Sequence, residues 1–197
     1  MTLVLASASA SRQRMLKVAG VDFSVSAADL NEDALTADLQ AKGLDAGGIA
    51  AALAEQKAVT VSRRMPGATV LGADSVLALG REVISKCRDL AELRTLLRRM
   101  SGKTHQLISA AALARDGVAF WRHAGVARLT MRLFSEAFLD AYLAAEGAAV
   151  LSSVGGYHYE GRGVQLFEQV TGDSFIIQGL PLLPLLSELR VLGLLEA

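Results

Sequence analysis

The chain opens with an apolar run, Leu3-Val4-Leu5-Ala6, and then turns to small hydroxyl residues ahead of a mixed polar and apolar stretch. That switch predicts a buried first strand over 2–6 and a helix over 9–18, with serines placed to cap it. Weak alternation over 23–27 predicts a second strand. The polar, acidic segment 29–46 reads as a loop holding a short helix near 36–42. An Ala-rich helix is predicted over 47–64, stopped by Met65-Pro66-Gly67.

Residues 69–73 have the pattern of a buried strand closed by Asp74, and 75–79 with 82–85 that of a hairpin around Gly80. A helix over 89–100 carries Asp89 at its start and Arg98 and Arg99 at its end, as the helix dipole prefers. Two long antiparallel strands are predicted over 105–115 and 118–133, joined by the Asp116-Gly117 turn. A helix over 135–146, a Gly/Tyr-rich loop over 154–163, strands over 164–170 and 175–178, and a closing helix over 182–192 complete the chain. This order mixes β–α units with a meander. The class is therefore α/β or α+β, with a cleft between two halves.

Composition narrows the function. The chain has 197 residues, 52% of them hydrophobic and 20% charged, with 20 Lys+Arg against 20 Asp+Glu. That is too apolar for a disordered chain. A zero formal charge also argues against binding a nucleic-acid polymer through phosphate contacts. The one cysteine, Cys87, excludes a disulfide framework and a multi-Cys zinc site. No apolar run approaches the roughly 20 residues that span a bilayer. The stretch 179–195 is interrupted by two prolines, Ser187, Glu188 and Arg190, and the N-terminus lacks a basic region and a long apolar core. No membrane partner is expected, and the expected location is the cytoplasm.

Four segments carry chemistry. The strand ending Leu5-Ala-Ser-Ala-Ser-Ala-Ser-Arg12 runs into a helix whose free backbone N–H groups suit an anion, and Arg12 can add a bidentate phosphate contact. In Gly72-Ala-Asp-Ser75 a carboxylate closes an apolar strand, where Asp74 can polarise water, ligate Mg²⁺ or simply cap a turn. Lys86, in Ile84-Ser-Lys-Cys-Arg-Asp89, can act as a point charge for phosphate. The loop Gly155-Gly-Tyr-His-Tyr-Glu-Gly-Arg-Gly163 offers Tyr157 and Tyr159 to stack on a base and Glu160 to accept from a base amino group. There is no P-loop and no dinucleotide fingerprint. His105, His123 and His158 lack metal-ligand spacing; His105 reads as a structural hydrogen-bonder and Trp121 as packing.

Taken in order, LASASxSR, GADS, ISKCRD, SGKTHQ, GGYxxEGxG and GLPLxPL closely resemble the Maf family, septum-formation-inhibitor-like nucleotide pyrophosphatases, from about Leu3 to Leu192. The resemblance implies an α/β fold of two lobes sharing one extended mixed sheet, a single domain over 1–197 similar to inosine triphosphate pyrophosphatases. It implies hydrolysis of a nucleoside triphosphate, standard or modified, to monophosphate and pyrophosphate with Mg²⁺ or Mn²⁺, and a homodimer as a common assembly. By position, Ser7, Ser9 and Arg12 match the triphosphate-binding segment. Glu32, in Asn31-Glu-Asp33, matches an acidic residue near the metal and phosphates, and Lys57 the lysine of the helix lining the cleft. Asp74 matches the proton acceptor, and so a second metal-side carboxylate, and Lys86 the lysine of the GKP-type motif.

Two departures stand out. Cys87 replaces the proline that usually follows that lysine. At three positions tied to substrate choice the chain has Ser11, Ser75 and Glu160. Branches acting on dTTP and UTP resemble SPRR, GADT and IQG there, and those acting on 7-methyl-GTP resemble SPWR, GSDQ and SEG, so only Glu160 matches, with the second branch. The competing expectation is a non-enzymatic nucleotide-binding regulator of cell division using the same cleft.

Overall fold

The first strand, β1 (Leu3–Leu5), passes through Ser7 and Ser9 into α1 (Ala10–Val18), with Ser9 at the N-cap. In this computed structural model, which describes residues 2–196, a two-residue strand β2 (Ser24–Val25) follows. Helix α2 (Glu32–Ala41) starts four residues earlier than the sequence suggests. Asn31 Oδ1 accepts from Ala34 N at 3.1 Å, and Glu32 and Asp33 sit in the first turn, so the acidic run read as loop is a capped helix start. Asp45 caps α3 (Ala46–Arg64) in the same way.

Strand β3 (Thr69–Leu79) is continuous, where a break at Asp74 was expected. It turns at Gly80 into β4 (Glu82–Ile84), and Asp89 then caps α4 (Leu90–Met100). The hairpin β5 (Thr104–Arg115) and β6 (Val118–Met131) leads to α5 (Glu136–Glu146). Residues Arg162–Leu166 form a 3₁₀ turn, so β7 (Phe167–Thr171) begins three residues later than expected. The predicted strand 175–178 is instead a single helical turn, α6 (Ser174–Ile177): Asp173 accepts from Phe175 N at 2.9 Å, and that cap overrides the β preference of Phe-Ile-Ile. Helix α7 (Leu182–Val191) closes the chain. Among the described residues no helix is long and apolar enough to cross a membrane.

Among the described residues all seven strands share one mixed sheet in the order β2-β1-β3-β5-β6-β7, with β4 also on β3. Alternation along β3 divides its side chains between two faces. Val76 and Ala78 pack with Ile49, Leu53 and Ala54 of α3. On the opposite face Leu71 and Ala73 join α1 and α7 in one cluster, and Leu77 joins α4 and α5 in another. Gly72 lets α3 lie directly on the strand, since a Cβ there would fall 2.1 Å from Ala54 O.

One detail of the topology locates the site. β5 occupies one edge of β3 from Val70 to Ala78, so β1 and β4 must both use the other. β1 pairs as far as Leu71, and β4 only from Leu77. Among the described residues, 72–76 have no strand partner on that edge, which opens a notch about 20 Å long between Leu71 and Leu77. Because β1 is parallel and β4 antiparallel to β3, the chain leaves both strands heading into this notch, from opposite ends.

Candidate active site

Asp74 and Ser75 stand in the open stretch of β3 and face opposite sides of the sheet. On the α3 side, Lys57 Nζ lies 2.6 Å from Asp74 Oδ1 and 2.8 Å from Glu32 Oε1. Lys57 and Asp74 are buried, with side chains 6% and 9% exposed, whereas Glu32 at 45% forms the solvent side of the group. Three elements far apart in sequence meet here: the start of α2, the middle of α3 and the middle of β3. The continuous strand corrects the expectation that Asp74 ends it. The carboxylate is tolerated inside an apolar strand because a buried ammonium is waiting for it.

On the other face Arg12, also buried, reaches in from the first turn of α1. Its Nη2 donates to Ser75 Oγ at 3.0 Å and its Nη1 to Ser7 Oγ at 3.1 Å. Burial pulls the guanidinium below its ordinary pKa, while the Asp74 and Glu32 carboxylates act in the opposite direction. Arg12 thus feels both acids across the notch. Ser9 N donates to Ser7 Oγ at 3.3 Å, and Ser9 Oγ accepts from Arg12 N at 3.5 Å, which folds the serine segment around the guanidinium.

The remaining predicted residues lie around this centre. Lys86 is exposed, two residues past the last β4 pair, where the register carries the chain toward Ser75; it makes no hydrogen bond or ion pair with the Lys57 group among the described residues. Ser11 Oγ donates to Gln178 O at 3.0 Å, so it serves as a fastening for α1 in this state. Glu160 is ion-paired with Arg14, which ties the Gly/Tyr-rich loop to α1. Cys87 is half-buried, and burial, then Glu92 and Asp89, push its thiol pKa up, away from a reactive thiolate.

Tyr157 is a correction. Expected to stack on a base, it is 4% exposed, and its hydroxyl is 2.8 Å from His105 Nε2 within the α4–α5 core. Its neighbour Tyr159 is half-buried and packs beside Phe167. His105 is the structural hydrogen-bonder its position suggests, and burial lowers its pKa to about 4. Sequence reasoning missed Ser109 and the carbonyls of Ile176 and Gly179, which bind the Arg12 side of the site. The available signal was Ser109 itself, a lone hydroxyl in the apolar run Leu107-Ile-Ser-Ala-Ala.

Lys57 engages one oxygen of each carboxylate, and the second oxygen of Glu32 and of Asp74 is left for other ligands. Among the described residues no group of three or more His, Cys, Asp or Glu is placed to hold a metal. Two carboxylate oxygens completed by phosphate oxygens match the way Mg²⁺ binds beside a polyphosphate. The donor set fits a hard cation that draws its remaining ligands from outside the protein.

A family profile described as Maf-like protein matches residues 2–192. This chain belongs to the Maf family. Over 194 residues, 98% of each chain, it is 51% identical to a 7-methyl-GTP pyrophosphatase from Mesorhizobium japonicum. It is 50% identical over 188 residues to a protein of the same name from Brucella suis, covering 95% of this chain and 94% of that one. A nucleoside triphosphate pyrophosphatase from Sphingopyxis alaskensis is 48% identical over 195 residues, 98% of each. Among solved structures, a nucleoside-triphosphatase (dITP/XTP pyrophosphatase) from Mycobacterium abscessus aligns with a TM-score of 0.43 and 16% identity, covering 77% of this chain and 97% of that one, too distant to bear on the site.

Proposed function

We propose that this Maf chain hydrolyses a nucleoside triphosphate to the monophosphate and pyrophosphate in the notch of β3, and that 7-methyl-GTP belongs to its substrate class. One observation carries the reading: Lys57 bridges Glu32 and Asp74 at 2.8 and 2.6 Å, with Arg12 buried on the other face of β3 against Ser75. Alternating charges of this kind, three of the four buried, suit a metal-bound polyphosphate. Relatives at about half identity, whose names carry the activity, support it.

In this mechanism Ser7, Ser9, Arg12 and Lys57 bind the triphosphate, with Lys86 closing on it from the β4 end of the notch. Glu32 and Asp74 hold Mg²⁺ or Mn²⁺, which when bound neutralises phosphate charge. Asp74 orients a water and takes its proton as the water attacks the α-phosphorus. Pyrophosphate then leaves toward the basic side chains. Most of the rate comes from placing charge and water, since phosphoryl chemistry needs little else from the protein. Glu160 contributes to base choice: a carboxylate suits the amino and imino donors of a guanine base, and its negative charge suits the cationic ring of a 7-methylated one. Arg14, which holds Glu160 in this state, gives way to the base.

The test is a panel of ordinary and 7-methylated nucleoside triphosphates, with and without Mg²⁺ or Mn²⁺, scored for pyrophosphate and orthophosphate. Pyrophosphate release with 7-methyl-GTP among the better substrates is the expected result. Orthophosphate release overturns the reaction class. Binding without turnover across the panel favours a nucleotide-sensing regulator instead.

A further inference from the structure

Arg12 is held on three sides by the protein alone. Nη1 and Nη2 are held by Ser7 and Ser75, and Nε donates to Gly179 O at 2.8 Å. The support extends beyond these contacts. Ser75 and Ser109 are directly opposed on β3 and β5, with their hydroxyl oxygens 2.8 Å apart. Ser109 is fully buried and donates to Ile176 O at 2.7 Å.

Proton counting fixes the direction of each bond. A serine hydroxyl has one proton, and that of Ser109 goes to the Ile176 carbonyl. Between the two serines, Ser75 must therefore donate and Ser109 accept. Ser75 then meets Arg12 with lone pairs only. The result is a one-way relay: Arg12 Nη2 to Ser75, Ser75 to Ser109, Ser109 to Ile176 O.

We infer that Ser109 is a positioning residue for the triphosphate site: through Ser75 it fixes the plane of the Arg12 guanidinium. Three of its five N–H groups are committed to Gly179, Ser7 and Ser75, which leaves one on each terminal nitrogen for phosphate oxygens. Without Ser109, the Ser75 hydroxyl turns to its other acceptor, Gly179 O, 3.5 Å away. Shortening that bond swings Ser75 Oγ away from Arg12 Nη2, so the guanidinium loses the contact that sets its plane. The inference rests on the proposed function in taking Arg12 as a phosphate-binding group.

Steady-state kinetics by pyrophosphate release test it. Losing one hydrogen bond predicts a rise in KM of about fivefold for Ser109→Ala, with kcat within about twofold. Ser109→Thr keeps the hydroxyl and restores KM. In an Arg12→Ala background the Ser109→Ala change adds nothing, because the residue acts only through Arg12. Ser75→Ala cuts the same relay at a half-buried position and shifts KM in the same sense, which decides the matter should Ser109→Ala not fold. An unchanged KM in the folded variant, or the same fivefold effect without Arg12, overturns the inference. Calorimetric titration with inorganic tripolyphosphate separates the two claims. A protein without turnover refutes the proposed function, whereas unchanged tripolyphosphate binding in Ser109→Ala refutes the relay.

Discussion

Asp74 and Ser75 are neighbours in sequence but sit on opposite faces of β3, Asp74 bonded to Lys57 and Ser75 to Arg12. In an unbroken sheet these side chains would be kept apart by the next strand. Here the notch between β1 and β4 leaves the edge open on both faces. A strand's own alternation thus delivers an acid and an arginine anchor to one site.

If Asp74 takes the proton from the attacking water, Asp74→Asn lowers kcat by about 10²-fold or more and changes KM much less. Pyrophosphate release under saturating nucleotide reads this directly. Near-normal turnover removes Asp74 from the chemical step.

Lys57→Met takes the ammonium from between two carboxylates and leaves Asp74 buried without its partner. Breaking a buried pair in this way costs about 3–5 kcal/mol. Urea unfolding reports the loss, and Lys57→Met with Asp74→Asn should recover much of it. Glu32→Gln, at the exposed end, should cost less than about 1 kcal/mol.

Lys86→Ala should weaken binding of the triphosphate far more than that of the nucleoside, measured by titration with each. Equal weakening would mean the residue does not contact phosphate.

Gly72→Ala drives a methyl group against the backbone of α3. The clash involves Ala54 O at 2.1 Å and Ala58 N at 2.6 Å, neither of which can rotate away. A loss of about 3 kcal/mol and a fall in Tm of roughly 10 °C are expected from thermal unfolding.

His105 predicts a pH dependence of stability. Burial lowers its folded pKa to about 4 from the ordinary imidazole value of about 6.5. Between these values the unfolded chain binds a proton that the folded chain refuses, so stability falls as pH drops from about 6.5 to about 4. The slope is about 1.4 kcal/mol per pH unit, and it disappears above 6.5. Urea melts at pH 7 and pH 5 should differ more in the parent than in His105→Asn.

The sequence made local elements and site chemistry legible to different depths. The hydroxyl residues ahead of α1 and the acidic start and basic end of α4 announced those helices, and the Asp116-Gly117 turn announced the β5–β6 hairpin. The α6 turn was hidden because Phe175-Ile176-Ile177 carries β preference, and only the Asp173 cap decides otherwise. Asp74 was misplaced at a strand end because its compensation, Lys57, comes from a helix 17 residues upstream. Ser109 escaped for a related reason: its partners lie 34 and 67 residues away. Tyr157 shows the converse, a residue type that suits base stacking but is claimed by the core through His105.

An unpaired strand edge invites another chain to add a strand and begin aggregation. The open stretch of β3 is defended by the residues that suit it to a nucleotide. A visiting strand would have to bury its peptide groups beside Lys57, Asp74 and Arg12, stripping these charges of water without the oxygens of a phosphate to replace it. Solubility and ligand selectivity therefore draw on the same few side chains, and variants that neutralise the site, Lys57→Met above all, should cause the protein to self-associate as they lose substrate.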